Sequence, residues 1–108
     1  MHLNVQGGLL SKLEEFQLFL ENSNISVVCL NEHWLHESQL FVLNKIPNFK
    51  VATSFCRETG HKGGGSCILL RENLNFTVRD DLNELNKVNI FEICCLELIF
   101  SKSIIILL

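Results

Sequence analysis

Glu32 is the residue of this chain whose type and setting most readily do chemistry. It follows the run Val27-Val28-Cys29-Leu30-Asn31, and a carboxylate directly after a buried strand stands at the strand's C-terminal edge, where open α/β sheets commonly hold ligands. A hard cation such as Mg²⁺ takes oxygen ligands, often one or two carboxylates with waters and substrate phosphate, so one glutamate can form one part of such a site. Spacing alone leaves the ordinary alternative open, a helix cap or a solvated loop carboxylate. Asn4 closes an earlier strand-like run. Its amide could orient a carboxylate or a phosphate, although an asparagine at a strand end is usually a turn residue.

The remaining reactive residues read more plainly. His33 and His36 flank Trp34 with no further ligand nearby, and zinc needs three or four, so they read as packing or solvent-facing histidines. Gly63-Gly64-Gly65 has neither the spacing of a Walker loop nor that of a dinucleotide fingerprint, and reads as a flexible hairpin. Arg57, His61 and Lys62 in the same connection could meet phosphates or simply be solvated. Glu92 and Glu97 are five apart, which on an unbroken strand sends them to opposite faces. The five cysteines, Cys29, Cys56, Cys67, Cys94 and Cys95, include no Cys-x-x-Cys pair. Four of them lie in apolar runs and read as reduced core thiols, which suits an intracellular protein.

The elements that must position these residues follow from periodicity. Val27 to Leu30 offers neither face to water, so this strand should be central. Leu3 and Val5 around Asn4 form a short first strand, broken by Gly7-Gly8. Ser11-Lys12-Leu13-Glu14 has capping-box spacing, and Leu9, Leu13, Phe16 and Leu20, with Phe19 beside them, make a helical stripe ending near residues 22 to 24. Strand, helix and strand form a βαβ-like unit that would end Asn4 and Glu32 on neighbouring strands. His36 to Lys45 reads as a surface excursion with a short helix, ended by Pro47. Phe49, Val51, Thr53 and Phe55 alternate as a strand with one covered face, Ser66 to Leu70 is the next strand, and Leu74, Phe76 and Val78 a third. Asp80 to Asn89 reads as a loop and Ile90 to Phe100 as a long strand. Lys102-Ser103 then reads as a turn before the apolar run Ile104 to Leu108, where the chain looks cut inside a strand.

Composition narrows the class. The chain has 108 residues, 47% hydrophobic and 19% charged, which fits one small domain or part of a larger one and not a disordered segment. A net charge of −3 gives no global attraction to phosphate polymers or anionic lipid, so any nucleic-acid contact must rest on a local patch. No signal peptide is visible, and Ile104 to Leu108 is far short of the ~20 residues of a spanning helix, so no membrane contact is expected.

Taken together, His2-Leu3-Asn4-Val5, Leu10-Ser11-Lys12-Leu13-Glu14-Glu15-Phe16, Val27 through Leu35, and Arg57 with Gly63 through Leu70 occur in the order and spacing of one family. The chain resembles the N-terminal half of the apurinic-endonuclease-like domain of non-LTR retrotransposons, in the endonuclease/exonuclease/phosphatase superfamily. The resemblance covers about residues 2 to 108. It implies an α+β fold, a partial four-layered α/β sandwich of the DNase I-like type with mainly antiparallel sheets and one clear N-terminal helix, residues 1–108 being an incomplete domain. It implies a complete enzyme that nicks DNA with Mg²⁺, or Mn²⁺ as the alternative, to prime reverse transcription, acting in the nucleus. By position Glu32 matches the family's catalytic, metal-binding glutamate, Asn4 the asparagine that helps organise the site, and the Arg57 to Gly65 hairpin a connection near the DNA-facing edge.

The chain also departs from the family. The Tyr-Arg-Pro-Pro-like, Asp-x-Asn and Ser-Asp-His segments are missing; there is no tyrosine, and the one proline is Pro47. Cleavage needs activated water, metal and leaving-group stabilisation aligned together, so the isolated chain is expected to be inactive, with weak DNA contact or none. Exposed apolar strand edges should drive self-association. A non-catalytic remnant or binding module, and a fragment of a superfamily phosphatase, stand as alternatives. The phosphatases share the metal glutamate but not the Leu-Asn-Val and Glu-His-Trp-Leu style flanks.

Overall fold

The computed structural model describes residues 1–58, 63–87, 92–99 and 103–107. The chain is α+β, and the described strands form two sheets. The first has strands in the order β1 (His2–Asn4), β2 (Val27–Asn31), β4 (Ser66–Arg71), β3 (Phe49–Phe55); the second has the order β5 (Phe76–Val78), β6 (Cys95–Ile99), β7 (Ser103–Leu107). Only β1 and β2 run parallel, with Asn4 opposite Asn31; the other described pairs are antiparallel.

Helix α1 (Leu13–Glu21), entered through a 3₁₀ turn at Leu10–Lys12, connects the two parallel strands. It covers one face of the first sheet. Leu9 and Leu20 are buried there with Val28, Leu30, Leu43, Ile46, Phe49 and Leu69, and Leu13 and Phe16 pack against them. The capping box does not form: the Ser11 hydroxyl donates to the Gly8 carbonyl, 2.9 Å, and no side chain caps the helix. Glu14 and Glu15 in the first turn still favour its positive end. Phe19 lies outside the stripe and is exposed.

The opposite face of the first sheet meets the second. Ile68 and Leu70 of β4 share a buried cluster with Cys94, Leu96 and Leu98, and Val27 and Cys29 of β2 pack against it. Strand β2 is therefore central, fully buried on the helix side at Val28 and Leu30 and half-buried on the other. Strand β4 is buried from Ser66 to Leu70.

Four further sequence expectations change. Strand β3 does not keep one face: the register shifts between Val51 and Thr53, so Phe49 and Val51 serve the helix-side core while the extra residue Ala52 packs with the inter-sheet cluster. A bulge re-aims the residues beyond it. The excursion at Glu37–Lys45 is 3₁₀-helical and not merely superficial, since it delivers Leu43 and Ile46 to the core. Asp80–Asn83 forms a one-turn helix, α2; Asn83 and Asn86 then use their side-chain amides to bond the backbone of Cys95 and Ile93, imitating a neighbouring strand. Among the described residues that segment is a regular strand at Cys95–Ile99, and Glu92 precedes it. Parts of the expected 80–89 loop, the 90–100 strand and the turn at Lys102 lie outside the described residues. In β7, Ile104 is exposed. Among the described residues no helix is long and apolar enough to cross a membrane.

Candidate functional site

Beyond β2 the ladder with β4's side of the molecule continues. The His33 N–H donates to the Gly65 carbonyl, 3.4 Å, and the Trp34 N–H to that of Gly64, 3.1 Å, while the Gly7 N–H donates to the carbonyl of Glu32, 2.9 Å. Glu32 and Trp34 adopt left-handed backbone conformations, φ +57° and +58°, which non-glycine residues seldom occupy. Between them His33 turns inward and is buried, leaving Glu32 partly exposed and Trp34 half exposed.

The Glu32 carboxylate is held through one oxygen. Oε2 accepts from the Trp34 indole N–H at 2.8 Å and from the Gly64 backbone N–H at 3.1 Å. These two donors, the indole first, keep Glu32 below the usual carboxylate range; the Arg57 charge adds to this, while partial burial and Glu92 oppose it. Neither bond uses Oε1. An ionised carboxylate with one oxygen anchored by neutral donors suits a hard cation. It suits proton transfer poorly, since both donors favour the charged form. Trp34 is itself fixed by a close approach at Gly7, φ +74°, where a Cβ would lie 2.0 Å from the ring.

Arg57 and Glu92 stand beside this group. The Arg57 Nε and Nη2 bond both Glu92 oxygens, with Nη2 to Oε2 at 2.6 Å, and each side chain is 16% exposed. This fork joins the β3–β4 connection to the segment leading into β6. Gly64 lies flat against it: a Cβ there, at φ +70°, would be 2.1 Å from Arg57 Nε. Beside Gly63, Arg57 Nη1, Trp34 Nε1 and Glu32 Oε2 all come within 4 Å of one point, at 3.5, 3.7 and 3.8 Å. The triple glycine expected as a flexible hairpin is thus a strap packed over the site's side chains.

His33 is not a ligand in this arrangement. Its Nδ1 accepts from the Leu35 N–H at 2.9 Å, so the neutral ring carries its proton on Nε2, which makes no hydrogen bond of good geometry among the described residues. Burial lowers its affinity for a second proton, with the nearby Ser66 and Phe55 backbone partly opposing that. His36 lies 3.5 Å from the Arg57 carbonyl through Nδ1, and its N–H donates to Gln39. Burial pushes the Cys56 thiol up to about 11 and Cys94 to about 12, so these are poor thiolate ligands.

Asn4 ends β1 beside Asn31 and is exposed; by register it shares a sheet face with Asn31, whose amide meets the His2 ring at 3.1 Å. Among the described residues its side chain makes no hydrogen bond, so Asn4 and Glu32 end adjacent strands without contact shown between them. His61 and Lys62 lie outside the described residues. Among the described residues no three His, Cys, Asp or Glu side chains converge as a metal-binding cluster.

Comparison with protein-family models, with curated proteins and with solved structures gives no match. What the sequence reading missed is the set of groups around Glu32: the Trp34 N–H, the Gly64 N–H and the Arg57–Glu92 fork. The signal for the first two was local, an aromatic two residues after the carboxylate and three glycines in succession. No pattern in the sequence marked Glu92 as the partner of Arg57, because that pairing spans 35 positions.

Proposed function

We propose that the chain is the N-terminal part of a metal-dependent phosphodiester hydrolase of the endonuclease/exonuclease/phosphatase type, in the line of non-LTR retrotransposon endonucleases, which nick DNA. The observation that carries the reading is the Glu32 carboxylate, anchored through Oε2 at the C-terminal edge of the central strand beside the parallel strand that ends in Asn4. In the four-layered sandwich of that superfamily, the two facing sheets seen here would make the inner layers.

In this reading Glu32 is one ligand of a Mg²⁺ or Mn²⁺ ion, and the residues present fit that role: the group is ionised and keeps an oxygen outside its two hydrogen bonds. The ion, when bound, supplies Lewis acidity toward a phosphodiester oxygen. Trp34 and Gly64 hold the carboxylate's rotamer, so it need not reorganise when a cation arrives. Asn4 orients substrate or metal-bound groups from the neighbouring strand. Arg57, locked by Glu92, fixes the strap that carries the Gly64 donor. One carboxylate is one ligand of about six, and so the isolated chain hydrolyses nothing at a useful rate.

The decisive experiment joins the chain to the coding sequence that follows Leu108 in its gene. In-frame Tyr-Arg-Pro-Pro-like, Asp-x-Asn and Ser-Asp-His segments are expected, and the joined protein should relax supercoiled plasmid with Mg²⁺ and lose that activity on Glu32→Gln. Absence of those segments, or nicking that ignores Glu32, overturns the reading. The isolated chain should leave plasmid supercoiled and self-associate in light scattering, as the exposed Leu3, Ile99 and Ile104 suggest.

A further inference from the structure

The two edges of the first sheet are finished differently. Along β3 the 3₁₀ segment Glu37–Lys45 and the turn after it close the edge: the Asn44 side-chain oxygen accepts from the Val51 N–H at 2.9 Å, and the Ile46 carbonyl from the Phe49 N–H at 3.2 Å. β1 has no such cover. The Met1 carbonyl accepts from the Cys29 N–H at 2.8 Å and the Val5 N–H donates to the Asn31 carbonyl at 3.0 Å, so alternate residues of β1 face β2, and the backbone groups of His2 and Asn4 between them turn to the open side. Among the described residues no backbone group takes them up. The usual guards of an edge are missing too, since β1 holds no proline, no lysine and no bulge. Beside it an apolar groove of about 390 Å³ runs between β1 and α1, lined by Leu3, Val5, Leu9, Phe16 and Phe19, with Lys12 and Glu15 as its charged residues. Leu3 and Phe19 remain 38% and 55% exposed there.

We infer that this edge docks a second copy of the chain, β1 pairing antiparallel with β1 about a two-fold axis at Leu3, so that two four-stranded sheets become one continuous sheet. An occupant of the edge must bring an extended backbone with free N–H and C=O groups, an apolar side chain on the helix side, and no excess charge against the opposite signs of Lys12 and Glu15. β1 of another copy meets all three conditions. In the two-fold arrangement His2 of one copy stands opposite Asn4 of the other on both sides of Leu3, and each such pair exchanges two hydrogen bonds. The two Leu3 residues form the close, non-hydrogen-bonded pair between them, on the face that carries the groove, where the exposed Phe19 of each copy can cover them. The contact uses the same patch on both copies, so it closes at a dimer and does not propagate. The net charge of −3 per chain opposes association only weakly at physiological salt, where exposed charges are screened beyond about 8 Å. The contact needs neither Glu32 nor a metal, and it goes beyond the hydrolase reading without resting on it.

Sedimentation equilibrium of the full chain across the micromolar range should show a reversible monomer–dimer equilibrium. Leu3→Lys and Phe19→Glu, both at exposed positions, should each weaken the dimer by about tenfold or more with circular dichroism unchanged. Phe41→Glu, equally exposed but on the segment along β3, should leave it intact. The register is read by Leu3→Cys. With diamide as the oxidant, taking two electrons and two protons from the thiol pair, this variant should link two copies through position 3, because side chains of a non-hydrogen-bonded pair lie near disulfide reach. Phe41→Cys should cross-link no more than the unaltered chain. A chain that stays monomeric, a dimer that Leu3→Lys and Phe19→Glu leave intact, or one lost only in Ile104→Lys on β7 overturns the inference. Leu3→Cys cross-linking no better than Phe41→Cys overturns it as well.

Discussion

Two glutamates, Glu32 at the end of β2 and Glu92 before β6, sit close to the same arginine and are used in opposite ways. Glu92 is engaged at both oxygens by the Arg57 guanidinium, a charge matched by a charge in a fixed fork. Glu32 is held at one oxygen by two uncharged N–H groups, which stabilise the anion without cancelling it. The first arrangement ties two layers together. The second keeps a negative charge available at a strand edge, and the difference separates a structural carboxylate from one suited to a ligand.

Breaking the fork should cost the most stability. Gly64→Ala puts a Cβ into the Arg57 guanidinium at a left-handed position, and should lower unfolding free energy by about 2–4 kcal/mol in urea titrations. Glu92→Gln, which removes the charge and keeps the shape, should lower the urea midpoint by less than half as much. Glu32→Gln should lower it less than Glu92→Gln does, since an amide oxygen still accepts from Trp34 and Gly64 while the stabilised charge is lost. Mn²⁺ should change the Trp34 emission of the unaltered chain, and that response should vanish in Glu32→Gln. A Glu32→Gln loss as large as that of Glu92→Gln would erase the distinction between the two carboxylates.

Acidification sharpens the comparison from another side. His33 has a lowered proton affinity in the folded state, so the unfolded chain binds the proton more readily. Its contribution is complete above the unfolded value near ~6.5 and is lost as pH falls from there through the lower folded value. Glu32 is also lowered, and its contribution is present above the unfolded value near ~4.3 and lost below that. Urea midpoints measured down the pH scale should therefore fall in two windows, one opening below about 6.5 and one opening below about 4.3. His33→Gln should flatten the upper one and Glu32→Gln the lower one.

Much of this was legible locally. The βαβ unit, the central strand, Glu32 at its edge and the hairpin between β3 and β4 follow from periods and punctuation that the chain carries within a few residues. The failures share a cause. Thr53's face changed because Ala52 bulges against β4, and the Ser11 capping box lost to a bond back to Gly8. Ahead of β6 the Asn86 amide pairs with the backbone of Ile93, and Asn83 does so at the first strand residue, Cys95. Each is a competition between bonding partners that a period cannot rank.

What the sequence determined by itself is where a carboxylate could stand: a run of buried residues ends in Glu32, and the alternation of apolar positions leaves little freedom in which element carries it. Tertiary structure alone decided what that carboxylate is. The indole of Trp34, the N–H of Gly64 and the diversion of Arg57 to Glu92 set its ionisation and leave an oxygen outside its hydrogen bonds. Electrostatic environment is made by groups brought close through folding, whatever their separation along the chain.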